Sequence, residues 1–277
     1  MPITTAEFDY IRDFVYEKSA IVLNPEKGYL VESRLDPLAR QSGFDGIGQL
    51  LEQMQRQDAQ LQNAVIEAIT TNETSFFRDP LSFEALRNAV IPDLLERRSL
   101  ERKLDIWCAG CSSGQEAYSV NMILLENFGP QLGSWQTKIL ATDLSTELLA
   151  KAREGRYAQI EANRGLTEPL LDEYFDRGAT GWTANPELKA NIDFRQLNLI
   201  AMWPPLPRMD VVFLRNVLTA FDIETKRRIL NRVAQVLKPD GYLFLGVGET
   251  TENVHDGFER LPFDQAGCYR LIARPIS

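Results

Sequence analysis

The sequence predicts an α/β protein in which a doubly wound parallel sheet carries a small inserted subdomain and follows an all-α segment. Three observations carry this expectation. From Lys103 onward, short apolar runs alternate with helical stretches, the pattern of strand-helix-strand units. Before residue 100 only helical periodicity appears. Between two strand-helix sets, about residues 155 to 195 form a stretch with turn residues and no clear long helix after DEYF, which reads as an insert.

Taken in chain order, residues 1–70 read as a helical domain. AEFDYIRDFVYEKS places Phe8, Ile11, Phe14 and Val15 at near-helical spacing, with Thr4 or Thr5 in position to cap. KGYLVESRLDPLARQSG is helical in pattern but contains Pro37, which predicts a break or kink. QLLEQMQRQDAQLQNAVIEAIT supplies a third helix and possible fourth. Residues 71–102 form a linker with the string NETSFFRDP and the helix LSFEALRNAVIPDLLERR. Residues 103–277 form the α/β domain. KLDIWCAG is a buried strand entering a glycine turn and GQEAYSVNMILLENF its helix; KILATD and STELLAKARE repeat the unit. MDVVFLRN, DIETKRRILNRVAQVLK and GYLFLGVG form another strand-helix-strand set, with Pro239, Asp240 and Gly241 as the turn. FERLPFDQAGCYRLIA alternates like a closing hairpin.

Composition narrows the function classes. The chain has 277 residues, 44% apolar and 25% charged, enough to bury a core. No run reaches the ~18 apolar residues of a membrane span, and MPITTAEFDY lacks the basic-then-apolar start of a secretory signal, so the expectation is a cytoplasmic chain without membrane insertion. A net charge of −9 argues against a nonspecific grip on nucleic acid. The single histidine, His255, stands in the polar segment TENVHDGFE without a G-x-S-x-G elbow, which disfavours a serine-histidine triad. WCAGC, holding Cys108 and Cys111, raises the possibilities of a redox site, half a zinc site or a small-residue turn. The third cysteine, Cys268, lies about 160 residues from the pair and gives no support for a zinc set.

In an open parallel sheet the ligand lies at the carboxyl ends of the strands. The first strand here ends in AGCSSG, where Gly110 and Gly114 flank small residues; the spacing is not the G-x-G-x-x-G of dinucleotide binders. The second ends in Asp143, suited either to a ribose diol or to capping the next helix. The strand MDVVFL ends in Arg215-Asn216. A ribose-bearing cofactor without a pyrophosphate fingerprint points to S-adenosylmethionine over NAD.

Five ordered strings, NETSFFRDP (72–80), AGCSSGQEAYS (109–119), ATDLSTELLAKAREGRY (141–157), FLRNVLTAFD (213–222) and GYLFLGVGET (241–250), resemble the CheR-type chemotaxis receptor glutamate O-methyltransferases. The resemblance implies a class I S-adenosylmethionine-dependent methyltransferase sheet with an inserted β-subdomain, preceded by an all-α domain. It implies methyl transfer from S-adenosyl-L-methionine, leaving S-adenosyl-L-homocysteine, to glutamates on the cytoplasmic helices of membrane chemoreceptors. Carried over by position, Asn72, Thr74 and Arg78 face the cofactor, Glu116 is the acid after the glycine turn and Asp143 the ribose acid. Asn198 and Leu199 lie near the adenine, and Arg215 with Asn216 form the R-N element. Arg78 is the residue expected to orient the substrate carboxylate, because a guanidinium fork fixes a carboxylate plane. The cysteines then serve as small buried residues.

Two departures qualify the resemblance. Ala220 stands where the family commonly has a tyrosine, which leaves a noncatalytic S-adenosylmethionine-binding receptor partner, or a methyltransferase with another protein substrate, as alternatives. The loop RGATGWTANPEL is shorter than in relatives that dock a receptor-tail pentapeptide, so untethered methylation is expected. A basic face for acidic receptor helices is not evident: residues 1–70 hold 6 basic and 11 acidic residues, and Lys27, Arg34 and Arg40 are the candidates for steering. A monomer is expected.

Overall fold

The computed structural model describes residues 3–56, 58–70, 73–263 and 265–272. Asn72 and the side chain of Lys27 lie outside the described residues. The chain divides into two compact units, Met1–Asn72 with Ala220–Thr225, and Glu73–Thr219 with Lys226–Ser277.

In the first unit, α1 (Thr5–Ser19) begins at a capping box. The Thr4 hydroxyl accepts from Glu7 N, and the Glu7 carboxylate accepts from Thr4 N at 2.8 Å. Its stripe of Phe8, Ile11, Phe14 and Val15 is buried. The helix α2 (Gly28–Gln41) runs through Pro37, so the expected break is corrected. Proline there removes one backbone donor, but Val31, Leu35 and Ala39, spaced four apart, are all buried and keep the helix seated on both sides of it. QLLEQMQRQDAQLQNAVIEAIT forms two helices, α3 (Ile47–Gln55) and α4 (Ala59–Ile69); Asp58 starts the latter by accepting from Gln60 N and Leu61 N at 3.0 and 3.1 Å. The Arg34 guanidinium donates to the carbonyl of Ile69 at the end of α4, and Arg40 pairs with Asp36 one turn away at 2.8 Å.

The second unit opens with α5 (Pro80–Ala85) and α6 (Ile91–Arg97), joined by a π turn at Leu86–Val90. Pro92 has no N–H to continue the ladder, and the widened turn absorbs the fault. There follow β1 (Lys103–Ala109), α7 (Gln115–Leu132), β2 (Gln136–Asp143) and α8 (Thr146–Glu154). The insert contains β3 (Arg156–Tyr157), α9 (Gln159–Ala162), α10 (Glu168–Tyr174), β4 (Phe175–Arg177), β5 (Trp182–Ala184) and α11 (Pro186–Lys189). The chain closes with β6 (Ile192–Gln196), β7 (Met209–Leu214), α12 (Ile223–Val236), β8 (Leu237–Leu245), β9 (Phe258–Arg260) and β10 (Cys268–Leu271).

The large sheet has the order β6-β2-β1-β7-β8-β10-β9. The strands β6, β2, β1, β7 and β8 are parallel, and β10 and β9 add as the antiparallel hairpin expected from the C-terminal alternation. Strand β6, at the end of the expected insert, pairs with β2 in this sheet, while β3, β5 and β4 form a separate three-stranded sheet. The expected Pro239-Asp240-Gly241 turn lies within β8, where it bulges: Met209 pairs with Leu237 but Val211 with Tyr242. Phe83, Phe213 and Phe244 stack through the core, the last two rings 4.7 Å apart.

At the amino-terminal edge of the sheet, Arg98 donates through Nε to Asp210 at 2.7 Å and through both terminal nitrogens to Asp240 at 2.9 and 2.6 Å. Lys238 adds a second cation to Asp210 at 2.9 Å. The hydrogen bond from Arg98, and then its charge against some desolvation, hold the Asp240 carboxyl below its ordinary value. A lowered folded value gives stability that is full above the unfolded pKa of about 3.9 and is lost as pH falls through the folded one. Asp240→Asn is therefore expected to cost about 1 kcal/mol at neutral pH, discounted for solvent screening, and almost nothing near pH 2. Thermal midpoints of the two proteins across that range check it.

Candidate functional site

The chain moves outward from β1 to β2 and β6, then returns to the other side of β1 at β7. This reversal makes the carboxyl ends of β1 and β7 the crevice of the sheet. The turn after β1 is tight. Gly110 has φ +76°, and a Cβ there would fall 2.4 Å from Cγ2 of Val217, in the loop after β7. Only glycine lets the two loops approach so closely. Ser112 also takes a left-handed conformation, and its N–H donates to Asp143 Oδ2 at 2.7 Å.

Asp143 ends β2 buried, and its Oδ1 accepts from Ser145 N at 3.0 Å. The helix cap is Ser145, whose hydroxyl accepts from Leu148 N, so Asp143 is not the cap of α8. Asn198 follows β6 and accepts from Ile200 N at 3.1 Å; Leu199 is buried. The Leu199 carbonyl accepts from Trp203 Nε1 at 3.1 Å and from Arg232 of α12 at 3.2 Å. Arg232 also reaches the carbonyls of Ile200 and Ala201 and lies over the Trp203 ring. Trp203 in turn packs edge-on against Trp107 of WCAGC, 5.1 Å between ring centres, and Trp107 Nε1 donates to Thr142 at 2.9 Å.

Arg215, at the end of β7, is the most heavily engaged group in this region. It is buried, stacks on Phe83, and donates to Glu116 at 2.9 Å, to Asp79 at 3.0 Å and to the carbonyl of Arg78 at 2.5 Å. Burial raises the Glu116 carboxyl, and the Arg215 charge and hydrogen bond act against that rise. Of the expected residues, Gly110, Asp143 and Arg215 thus lie at the strand ends, Arg215 is joined to Glu116 in the first turn of α7, and it is tied to Arg78 through the Arg78 backbone. The Arg78 side chain is half-buried and donates to the carbonyl of Glu73 at 2.5 Å. Thr74, also half-buried, lies four residues before it. The segment is strained: Phe77 and Asp79 both have positive φ, as does Asn216. Phe76 is buried between Tyr157 and Phe175, and Phe77 packs on Phe83.

Three participants escaped the sequence reading. Asp79 follows Arg78 directly but carries no spacing signal of its own. Glu249, nine-tenths buried, and Arg232 act on loops that lie far from them in sequence. By contrast, WCAGC holds no reactive thiol. Cys108 and Cys111 are buried, and burial pushes both thiols well above their ordinary value. Cys108 lies within β1 and α7 starts only at Gln115, so no helix terminus faces it. His255 is a partly exposed loop residue near Asn231.

Residues 6–70 match the family description "CheR methyltransferase, all-alpha domain", and residues 72–266 match "CheR methyltransferase, SAM binding domain". The chain is similar to chemotaxis protein methyltransferase 1 of Pseudomonas aeruginosa, 40% identical over 98% of this chain and 99% of that protein. It is also similar to chemotaxis protein methyltransferase Cher2 of Pseudomonas putida, 39% identical over 91% and 93% of the two chains. The chemotaxis protein methyltransferase of Escherichia coli is 36% identical over 93% and 89%.

The residues present fit S-adenosylmethionine. Asp143 is a buried carboxylate bonded to the Ser112 backbone, in a turn that excludes side chains at Gly110, and the buried Nε of Arg215 has no partner within the described residues. Carboxylates and guanidinium groups of Glu116, Arg78 and Arg215 offer both charges to an amino acid head group. With each unit matched by the corresponding family domain, and with relatives aligned over almost the whole chain, this protein belongs to the CheR methyltransferase family, whose members bind S-adenosylmethionine.

Proposed function

We propose that the protein transfers the methyl group of S-adenosyl-L-methionine to glutamate side chains on the cytoplasmic helices of chemoreceptors, forming methyl esters and releasing S-adenosyl-L-homocysteine. The observation that carries this reading is the hold of Arg215 on the Arg78 backbone, which fixes an arginine beside the strand-end turn. When bound, the cofactor supplies an activated methyl group. The protein's own task is then orientation. A glutamate carboxylate is ionised near neutral pH, with a reference pKa of about 4.3, and needs no general base. The Arg78 fork can hold that carboxylate in one plane. Asp143, Asn198 and Leu199 line the proposed nucleoside end, while Glu116, Thr74 and the Arg215-Asn216 element support the amino acid end. The printed names of the relatives, chemotaxis protein methyltransferases, support a role in chemotaxis.

The hairpin between β4 and β5 is only four residues long, with Gly178 N donating to Gly181 O at 2.8 Å, which supports methylation without a pentapeptide tether. Arg34 and Arg40 remain the proposed steering residues. Because Arg34 holds the end of α4, Arg40, exposed in the last turn of α2, is the one whose charge can be reversed without releasing the Ile69 carbonyl. No helix among the described residues is long and apolar enough to cross a membrane. We place the protein in the cytoplasm as a monomer.

Incubation with methyl-labelled S-adenosylmethionine and receptor-containing membranes tests the reading. Base-labile label on the receptor is expected, as for a glutamate ester. Ala220 gives the alternative its footing, since it ends the turn Leu218–Ala220 with a methyl group where the resemblance expects a phenol. Cofactor binding without any label would establish the noncatalytic partner, and base-stable label would indicate another acceptor residue.

A further inference from the structure

The loop after β8 carries a buried carboxylate facing the loop after β7. Glu249, only 9% exposed, accepts from Asn216 N at 2.7 Å, Thr219 N at 3.1 Å and Gly246 N at 2.8 Å. Three backbone dipoles thus face a charge that has left water, the arrangement that makes such hydrogen bonds strong. The two loops are also joined sterically. A Cβ at Gly246 would lie 2.6 Å from both N and Nδ2 of Asn216, so the glycine lets the asparagine settle over it. Asn216 has φ +59°, a conformation that persists only while its surroundings overdetermine it. Its neighbour Arg215 must reach Glu116, Asp79 and the Arg78 carbonyl together.

We propose that Glu249 is a positioning residue for the methyl-transfer site. It clamps the backbone after β7 so that Arg215 and Asn216 present one fixed arrangement to the cofactor and to the Arg78 segment. This rests on the functional reading above but is tested separately from it. A residue that only stabilised the fold would lower the unfolding midpoint and leave affinity unchanged well below it. A positioning residue changes affinity in the folded protein.

The experiment compares the full chain with Glu249→Ala, Glu249→Gln and Gly246→Ala. S-adenosylhomocysteine affinity is measured by calorimetry well below each unfolding midpoint, with the cofactor KM and kcat taken in parallel. Glu249→Ala and Gly246→Ala are expected to weaken binding by about tenfold or more, since small displacements of an oriented site are costly. Glu249→Gln should recover part of the loss, because its carbonyl oxygen still accepts. A folded Glu249→Ala that binds within about twofold of the unaltered chain overturns the proposal. If Glu249→Ala does not fold, Gly246→Ala decides, and unchanged affinity there overturns it equally. Absence of methyl transfer in the unaltered chain would remove the functional reading and leave the affinity comparison standing.

Discussion

Arg215→Ala is expected to lose about 3 kcal/mol of stability and measurable affinity for S-adenosylhomocysteine. The stability loss comes from Glu116, whose side chain is 14% exposed and whose charge would be left in a buried site without its cation. The affinity loss comes from the Arg78 segment. Phe77 and Asp79 hold left-handed conformations that cost about 1–3 kcal/mol each, and Arg215 is what binds Asp79 and the adjacent carbonyl in place. The pH dependence has a definite sign. Without Arg215 the Glu116 carboxyl, already raised by burial, rises further. A raised acid binds its proton more readily in the folded state, so the deficit of the variant shrinks as pH falls. Arg215→Ala combined with Glu116→Gln should regain part of the stability at neutral pH, but not the affinity. Denaturant midpoints at two pH values, with calorimetry, check the set. Equal losses in the single and double variants would show that Glu116 is not the source.

Arg78→Ala gives the opposite profile. Its side chain is half-exposed, and the carbonyl that Arg215 grips survives the substitution, so stability should stay within about 0.5 kcal/mol. Methyl transfer should fall by about 10²- to 10³-fold, the cost of losing orientation of the reacting carboxylate. Arg78→Lys should rescue little, because an ammonium is a point charge and not a planar fork. Near-normal turnover in Arg78→Ala would remove its assigned role.

The parts legible in the sequence were those with short-range grammar. LDIWCA, KILATD and VVFL are short, mostly apolar runs followed by helical periods, and each became a parallel strand with its helix. The strand ends then exposed Gly110, Asp143 and Arg215 as residues to watch. Local rules were overridden where burial elsewhere was stronger. Pro37 sits inside α2 because Val31, Leu35 and Ala39 anchor the helix on both sides. Ile192–Gln196 has a half-polar pattern typical of an edge, and its placement beside β2 depends on partners 53 residues earlier. Glu249 and Arg232 act on the backbone of loops about 30 residues away, and a backbone partner leaves no mark in residue identity. Asp79 was hidden for a different reason, since its role depends on an arginine 136 positions onward.

The packing of Trp107 against Trp203 has a practical corollary. Trp203 is bonded to the carbonyl of Leu199, the residue proposed to lie beside the adenine, while the indole of Trp107 is pinned to Thr142, one residue before Asp143. Two of the four tryptophans in the chain are therefore coupled to one rim of the crevice. If Leu199 and Asp143 border the bound cofactor as proposed, indole emission is expected to change on titration with S-adenosylhomocysteine, and Trp203→Phe to reduce that change.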